Sequence, residues 1–264
     1  LESRGATIHT GFKVTSATTK GKSATVKGTD AQGKEQTFEA DVVLVSTGRR
    51  PYTKGLALEK SGLTLDAKGF IPVNKSLQTS VPHLYAIGDV TPGMMLAHRA
   101  SHEALIAAAH LAGDKNARVD YRVIPAAIFT EPEIASVGIS ETEAKAKGLN
   151  VKVGKFPFAA LGRALSNNRS DGFCKVIGDA KTNDLLGVHI VGPEASNLIA
   201  EGALAIEMGA SVEDLVLTIH THPTYPEALM EAGESYFGHA IHVYQGGHSK
   251  ASGDEAASAK VGHA

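Results

Sequence analysis

The 264-residue sequence has a single cysteine, Cys174, so no disulfide can form within one copy of the chain. Its charges nearly cancel, with 26 basic against 28 acidic side chains and a net charge of −2 at pH 7. This balance lacks the broad basic field that attracts nucleic acids and anionic membranes, and we expect neither as a partner. No apolar run reaches the roughly 18 residues of a membrane-spanning helix. The 42% of hydrophobic residues nevertheless predicts a folded, globular protein.

Several common active-site signatures are also missing. The sequence contains no Gly-x-Gly-x-x-Gly, no Walker loop and no Gly-x-Ser-x-Gly, which removes the usual dinucleotide, nucleotide and serine-hydrolase motifs. Its first residues, Leu-Glu-Ser-Arg, lack the layout of a secretory signal, so the expected location is cytoplasmic. Because the sequence begins with Leu rather than Met, we expect it to be part of a longer gene product.

The first part of the chain predicts a meander followed by parts of a parallel α/β sheet. Residues 10–40 alternate short β-branched runs with turn-rich clusters, which is typical of antiparallel strands. Apolar runs over residues 41–45, 70–73 and 83–89 predict three strands, the first and last of them buried. Residues 94–111 contain no interior proline or glycine and stop before a glycine, which predicts a long helix.

From about residue 120 the pattern changes to that of a second, α+β domain. Short apolar runs separated by turns indicate strands around Phe129 and over residues 134–139, 151–156, 173–177 and 185–191. Capping-box patterns and glycine stops indicate helices after Ser140, over residues 195–208, from Ser211 and over residues 225–236. From His248 the composition has no apolar period and predicts a disordered tail. The expected fold class is therefore α/β plus α+β.

The segment from His220 to Glu227 concentrates titratable side chains around two prolines, directly before a predicted helix. Rigid backbone can hold the His222 imidazole in place, and the Glu227 carboxylate can orient it as an acid/base pair requires. Alternatively, Thr224 to Glu227 is a helix capping box and His222 an ordinary loop residue. These residues alone leave both interpretations open.

A second candidate site follows the predicted strand over residues 83–89. Open α/β sheets bind ligands beyond the carboxyl ends of their strands, where Asp89, after Gly88, can accept hydrogen bonds from sugar hydroxyls. Residues 94–98 then open the long helix, whose exposed amides and positive end suit an electron-rich ring. Asp after Gly is equally common in turns, and residues 94–98 can equally be ordinary helix positions.

The remaining polar clusters carry weaker signals. Gly48 to Pro51 offers close backbone approach and two guanidinium groups, although solvated surface arginines are the commoner explanation. The 12 histidines raise the question of a metal, but no nearby cysteine completes a zinc set, and we predict no metal site. Cys174 alternates within a predicted strand as a small buried hydrophobe, and we assign it no chemistry.

Taken in order, these segments resemble the C-terminal part of the flavin-dependent disulfide oxidoreductases, and most closely the members that oxidise dihydrolipoamide. The resemblance covers residues 1–241. Its motifs are Ser46-Thr47-Gly48-Arg49-Arg50-Pro51, Tyr85-Ala86-Ile87-Gly88-Asp89-Val90, Met95-Leu96-Ala97-His98-Arg99-Ala100, Thr130-Glu131-Pro132-Glu133, Gly154-Lys155-Phe156-Pro157-Phe158, and His222-Pro223-Thr224 with Glu227.

The resemblance implies FAD and NAD as cofactors. Asp89, following Gly88, would bond the flavin ribityl chain, and Gly48 would contact the nicotinamide nucleotide. The backbone that would lie against the flavin ring and ribityl group is that of Met95, Leu96, Ala97 and His98.

The resemblance also implies the acid/base chemistry and the partners. His222 would deprotonate a dihydrolipoamide thiol, Glu227 would hold the imidazolium, and the thiolate would attack an enzyme disulfide before electrons pass through FAD to NAD. The reaction would cross the interface of a homodimer. The expected protein partner is a dihydrolipoamide-bearing acyltransferase of a 2-oxo acid dehydrogenase complex.

The same comparison implies a domain layout. A remnant of the NAD-binding domain would span residues 1–77, and a returning segment of the FAD-binding domain would span residues 78–118. A complete α+β dimerisation domain would cover residues 119–247, leaving residues 248–264 as the tail. The expected fold is thus a remnant of a three-layer FAD/NAD-binding domain followed by an interface domain.

The sequence departs from the family in three features. Family members carry a Gly-rich FAD unit, a Cys-x-x-x-x-Cys redox pair and a Gly-rich NAD unit, and none of these occurs here. Two alternatives stay open: a fragment of a glutathione-type reductase, which shares the His-Pro and Glu residues, and a non-catalytic dimerisation module. Because the cofactor-selecting strand is missing, the sequence does not distinguish NAD from NADP.

We predict that the 264-residue polypeptide alone does not oxidise dihydrolipoamide, because it carries a proton acceptor but no redox disulfide. The measurement is NAD reduction by the purified chain with added FAD and dihydrolipoamide. Detectable turnover above the cofactor-only blank would show the prediction to be wrong.

Overall fold

The computed structural model describes residues 2–245 of the chain. The tail predicted from His248 lies outside the described residues. The chain divides into two compact units, the first ending at Arg50 and the second beginning at Pro51. The domain boundaries expected at residues 77 and 118 stay predictions.

The first unit is a three-stranded antiparallel meander, which confirms the prediction for residues 10–40. Its strands are β1 (Lys13–Lys20), β2 (Ser23–Thr29) and β3 (Glu35–Ala40), with β2 in the middle. The ring of Phe38 in β3 lies 5.5 Å from that of Phe12, edge to face, and 4.8 Å from that of His9. These ring contacts hold the segment before β1 against the far strand.

The strands predicted over residues 41–45, 70–73 and 83–89 do not form. The first of these segments has no regular secondary structure, and Val42 and Leu44 are 81% and 87% exposed. The last contributes an isolated bridge from Tyr85 to Gln78 before a 3-10 turn at Gly88–Val90. Strands of a parallel sheet depend on hydrogen-bonded neighbours, and both sheets within the described residues are antiparallel. An apolar run shows where a strand can form, but it does not show whether a neighbouring strand is present to pair with it.

Two helices and a set of turns open the second unit. α1 (Leu58–Ser61) is a single turn, and α2 (Ala97–Leu111) is the long helix predicted over residues 94–111. Leu77 is fully buried in a small core with Ala107 of α2 and Val119. This core fixes the turns before α2 to the helix itself.

The rest of the second unit is an α+β domain built on one antiparallel sheet. Its strands are β4 (Ala126–Ile128), β5 (Glu133–Gly138), β6 (Val151–Pro157), β7 (Phe173–Asp179) and β8 (Leu185–Gly192), in the order β4-β5-β8-β7-β6. Its helices are α3 (Glu141–Ala146), α4 (Gly162–Ser166), α5 (Ala195–Glu207), α6 (Val212–Leu217) and α7 (Glu227–Phe237). The sequence predicted these strands to within a few residues and every helix except α4. The mixed fold class is confirmed.

The core of this domain lies between the sheet and helices α5 and α7. The sheet contributes Cys174, Val176, Val188 and Ile190, and the helices contribute Leu198, Ile199, Leu229 and Tyr236. Burying a large side chain of this kind contributes about 1.5–3 kcal/mol to stability. Cys174 is fully buried, as predicted, and burial raises the pKa of its thiol far above the usual range.

The approach of α7 to the sheet depends on a glycine in β6. A Cβ on Gly154 would lie 2.0 Å from the carbonyl oxygen of Ala232 and 2.5 Å from the backbone nitrogen of Tyr236, both in α7. Backbone atoms cannot rotate away as a flexible side chain can. Any side chain at position 154 therefore pushes α7 away from the sheet.

We expect Gly154→Ala to lower the free energy of unfolding by about 1–3 kcal/mol, because α7 must shift to accommodate the methyl group. The matched control is Gly162→Ala in α4, where an added Cβ meets nothing within 4 Å. It should change stability by about 1 kcal/mol at most, in the stabilising direction. Urea denaturation of the two variants measures the difference, and equal midpoints would contradict the packing described.

Candidate functional site

His222 and Glu227 form a hydrogen-bonded pair at the start of α7. Nδ1 of His222 lies 2.8 Å from Oε1 of Glu227, and Oε2 of Glu227 accepts a 2.7 Å hydrogen bond from the backbone N–H of Thr224. The imidazole is 71% exposed, whereas the carboxylate is 11% exposed. A buried carboxylate therefore holds an imidazole that faces outward.

The protonation of this pair follows from its partners. Burial alone favours the neutral form of Glu227, but the hydrogen bonds from Thr224 and His222 outweigh it and lower the pKa of the carboxyl. Because the ionised carboxylate only accepts, Nδ1 of His222 carries a proton and donates it. In the neutral imidazole, Nε2 then has the free lone pair. The pair can accept a proton at Nε2 and stabilise the cation that results.

The capping box considered for this segment forms only in part. Glu227 accepts from the Thr224 backbone as a capping residue does, but Oγ1 of Thr224 donates to the carbonyl of Thr221 at 2.6 Å. The N-cap residue of α7 is a proline and supplies no side-chain hydrogen bond to the first amides of the helix. The two oxygens of Glu227 divide the tasks, one binding the backbone and the other the imidazole. The peptide bond between His222 and Pro223 is cis.

His220 anchors the same loop to α5. Its Nδ1 lies 2.8 Å from the carbonyl oxygen of Thr218, and its Nε2 lies 2.8 Å from Oε1 of Glu201 in α5. Both partners are acceptors when Glu201 is ionised, so both ring nitrogens donate and the imidazole is protonated. The Glu201 hydrogen bond raises the pKa of His220 in spite of the opposing effect of burial. Sequence reasoning considered His220 only as a possible chelator, and no local pattern links it to Glu201.

The second candidate site is the turn that carries Asp89. Gly88 is buried at a φ of 70°, and an added Cβ would lie 3.1 Å from the Cβ of Ala100 in α2. The turn is closed by Thr91, whose Oγ1 donates to the Gly88 carbonyl at 2.8 Å. Asp89 itself is exposed beside this rigid turn. A carboxylate held in this way can accept hydrogen bonds from a polyol.

The start of α2 lies in the chain directly after this turn. Its N-cap residue, Leu96, supplies no side-chain hydrogen bond to the first amides of the helix. Met95 and Leu96 are half-buried, and Ala97 and His98 are exposed, with Nε2 of His98 2.7 Å from the carbonyl oxygen of Pro125. Uncapped amides at the positive end of a 15-residue helix suit an electron-rich group. The contact of these residues and of Asp89 with a flavin stays a prediction from the resemblance.

Gly48 is in a different setting. It lies in the first unit, exposed and without regular secondary structure, at a φ of 91°. The described residues around it form no strand or helix that would define a nucleotide pocket. Its proposed contact with a nicotinamide nucleotide stays a prediction from the resemblance.

Sequence reasoning missed a buried ion pair in α2, between Arg99 and Glu103. The pair contacts the backbone on both sides of Asp89. Its only signal in the sequence is the spacing of four residues, which is common on exposed helix faces. A neighbouring cavity of about 690 Å³ is lined by His98, Ile106, Pro125, Phe129 and Ile199, among others.

Residues 2–245 contain neither a candidate metal cluster nor a membrane-spanning helix. No group of three or more His, Cys, Asp or Glu side chains is arranged to hold a metal ion in that range. Among the helices within it, none combines the length and apolar character needed to cross a bilayer.

Two family models match the chain. The model for pyridine nucleotide-disulphide oxidoreductases matches residues 1–104, and the model for the dimerisation domain of the same proteins matches residues 124–233. Together these ranges take up most of the chain. The chain belongs to the pyridine nucleotide-disulphide oxidoreductase family.

Individual members of this family are similar to the chain over most of its length. The chain is 51% identical over 244 residues to the dihydrolipoyl dehydrogenase of Thermus scotoductus, a match that covers 92% of this chain and 52% of that protein. It is 48% identical over 242 residues to the dihydrolipoyl dehydrogenase of Halobacterium salinarum, with 92% and 51% covered. The chain thus spans about half the length of the curated relatives it matches.

Solved structures agree with this likeness. LpdA from Mycobacterium tuberculosis matches with a TM-score of 0.76 and 29% identity, over 84% of this chain and 48% of that one. The HOCl-induced flavoprotein disulfide reductase RclA from Escherichia coli, solved as a Cu(II) complex, matches with a TM-score of 0.75 and 26% identity, over 84% and 49%.

We expect Glu201→Gln to destabilise the chain more at low pH than at high pH. A histidine whose pKa is raised in the folded state contributes stability that is complete below its unfolded pKa, near 6.5, and is lost as pH rises through the folded value. The melting temperature should fall by about 2–4 °C at about pH 6 and by less at about pH 9.

The control for this prediction is Glu39→Gln, which changes an exposed carboxylate in β3. Thermal melts of the wild type and both variants across this pH range give the comparison. A Glu201→Gln effect that is constant or grows with pH would contradict the charged assignment of His220.

Proposed function

We propose that the chain is the C-terminal part of a dihydrolipoyl dehydrogenase, in which His222 and Glu227 are the acid/base pair for dihydrolipoamide oxidation. The observation that carries the proposal is the exposed imidazole whose Nδ1 is held by a buried, ionised carboxylate at 2.8 Å. The high identity to proteins named dihydrolipoyl dehydrogenase supports the choice of substrate.

The proposed role of His222 is to move a proton. Oxidation of dihydrolipoamide to its cyclic disulfide releases two electrons and two protons. Nε2 of His222 takes the proton from one substrate thiol, and the thiolate attacks an enzyme disulfide to form a mixed disulfide. That attack breaks the enzyme S–S bond and releases one of its sulfurs as a thiolate, which takes the proton of the second substrate thiol. The second substrate sulfur then displaces the other enzyme sulfur, which closes lipoamide and leaves the enzyme pair reduced. Glu227 stabilises the imidazolium during these steps.

The disulfide itself must come from outside this chain, because Cys174 is its single cysteine and is buried. FAD, when bound, would supply the two-electron chemistry that links the reduced pair to NAD. Asp89 and the backbone of residues 95–98 would bind the ribityl chain and ring, and Gly48 would approach the nicotinamide nucleotide. The cytoplasmic location and the choice of NAD stay predictions from the sequence.

Exposed apolar side chains in α5 and α6 and in the segments that follow them support a homodimer. Ile219 is 96% exposed three positions before His222, and Leu217, Leu204 and Met208 are 71%, 63% and 75% exposed. Large apolar side chains left exposed in this way are typical of a protein interface. We propose that a second copy covers them, which would let His222 act on the disulfide of its partner. A dihydrolipoamide-bearing acyltransferase would supply the substrate.

A non-catalytic dimerisation module is the second candidate. The observation that favours it is the state of Cys174, whose buried thiol, with its raised pKa, cannot serve as a redox centre. A glutathione-type reductase would share the His222 and Glu227 pair and differ in the disulfide substrate.

We expect His222→Ala, in the protein expressed from its complete coding sequence, to reduce kcat for dihydrolipoamide by about 100-fold or more, because the thiol loses its proton acceptor. Flavin content should remain that of the wild type, since the imidazole is 71% exposed and lies outside the residues assigned to flavin. The control is His239→Ala, an exposed histidine just after α7. Steady-state NADH production measures turnover, and near-normal turnover of His222→Ala would overturn the proposed role.

A further inference from the structure

Glu103 occupies a position in α2 that a helix carboxylate rarely occupies. It is 0% exposed, and both of its oxygens are used. Oε2 accepts the backbone N–H of Gly88 at 2.7 Å, while Oε1 accepts from Nε of Arg99 at 2.8 Å and from the hydroxyl of Tyr121 at 2.9 Å. The carboxylate thus connects the Asp89 turn, its own helix and the segment that follows α2.

Arg99 completes the arrangement on the other side of Asp89. It is 2% exposed and donates to the carbonyl oxygens of Met94 and Pro92 and to Oγ1 of Thr91, each at 2.8 Å. The guanidinium also requires a glycine at position 93, where a Cβ would lie 2.7 Å from Nη1. The residues on both sides of Asp89 are therefore held by one ion pair.

Stability alone does not account for such a pair. Two buried charges lose their hydration, and well-packed apolar residues of similar volume are often as stabilising or more so. The ion pair forms five hydrogen bonds to other residues, which an apolar pair cannot form. Three of these go to backbone atoms of residues 88–94. The pair specifies the conformation of this segment.

Tyr121 extends the same contacts toward the dimerisation domain. Its hydroxyl donates to Glu103, and its ring centroid lies 5.3 Å from Cζ of Arg99, a cation–π contact. Burial, together with the negative charge of Glu103, raises the pKa of Tyr121, so the hydroxyl remains a donor. Tyr121 lies three residues before the region matched by the dimerisation-domain model.

We propose that Glu103 and Arg99 are positioning residues that set the flavin-binding segment, residues 88–98, in its binding conformation and couple it through Tyr121 to the dimerisation domain. This inference rests on the proposed function for its flavin role. The clamp itself, defined as Glu103, Arg99 and Tyr121, is a property of the chain without cofactor.

The first test uses the 264-residue chain without flavin. Glu103→Gln removes the charge with little change of volume, and we expect the Gly88 amide to exchange with deuterium at least tenfold faster than in the wild type. His102→Gln, at the adjacent exposed position of α2, is the control and should leave this rate unchanged. Wild-type exchange at Gly88 in Glu103→Gln would overturn the clamp.

The second test uses the flavin-loaded protein from the complete coding sequence. We expect Glu103→Gln to raise the Kd for FAD tenfold or more and to shift the flavin absorption band, whereas a merely structural role would lower the melting temperature and leave the spectrum unchanged. If Glu103→Gln does not fold, Arg99→Lys and Tyr121→Phe serve instead. Arg99→Lys keeps the charge but loses the forked donors and should loosen residues 91–94. Tyr121→Phe removes one hydrogen bond and should have a smaller effect on FAD affinity.

The outcomes separate this inference from the proposed function. A wild-type protein that binds no flavin would overturn the proposed function and the flavin role with it. Wild-type flavin binding with an unchanged Kd and spectrum in all three variants would overturn this inference alone.

Discussion

The contact of α7 with β6 determines where the candidate proton acceptor lies. Gly154 lets the backbone of α7 touch the strand at Ala232 and Tyr236, and the rigid helix holds Glu227, its first residue, in place relative to the sheet. Glu231, one turn later and 1% exposed, repeats the arrangement, since its Oε1 lies 2.5 Å from Nδ1 of His242 and its Oε2 accepts from the N–H of Ile241. The carboxylates of one helix therefore fix the positions of two loops relative to the sheet.

Holding a loop in place is a role that buried carboxylates have elsewhere in the second unit as well. Glu227 and Glu103 each use one oxygen for a backbone amide and the other for a cationic or proton-carrying side chain. At Glu227 the donated hydrogen bonds outweigh burial and lower the pKa of the carboxyl, and a carboxylate with several donors is a fixed point to which a loop can be attached. Both candidate functional segments are loops that a helix holds by this means. Their geometry therefore depends on charge as much as on packing.

The sequence predicted what is determined locally. The meander, α2, the five strands of the second sheet, the capping box at Ser140 and the helix start at Ser211 follow from apolar period and cap residues that lie close together in the chain. The strand predicted over residues 41–45 is wrong because pairing is a long-range property that an apolar run does not contain. For the site, the five-residue spacing of His222 and Glu227 made their pairing predictable. Glu201 lies 19 residues from His220, and no periodicity connects them.

Exposure distinguishes His222 from the other histidine of its loop. The side chain of His220 is 5% exposed and uses both ring nitrogens, so it can only hold the loop in place. His222 uses one nitrogen and presents the other to solvent, which is the arrangement needed to exchange a proton. An imidazole that is exposed to water, however, can exchange a proton with any solute that reaches it. In the proposed homodimer a second copy covers the exposed Ile219 and the surface beside it, and the imidazole then meets only what that copy presents to it. The exposed surface beside His222 therefore has a functional requirement of its own: it must be covered for the acid/base pair to act selectively.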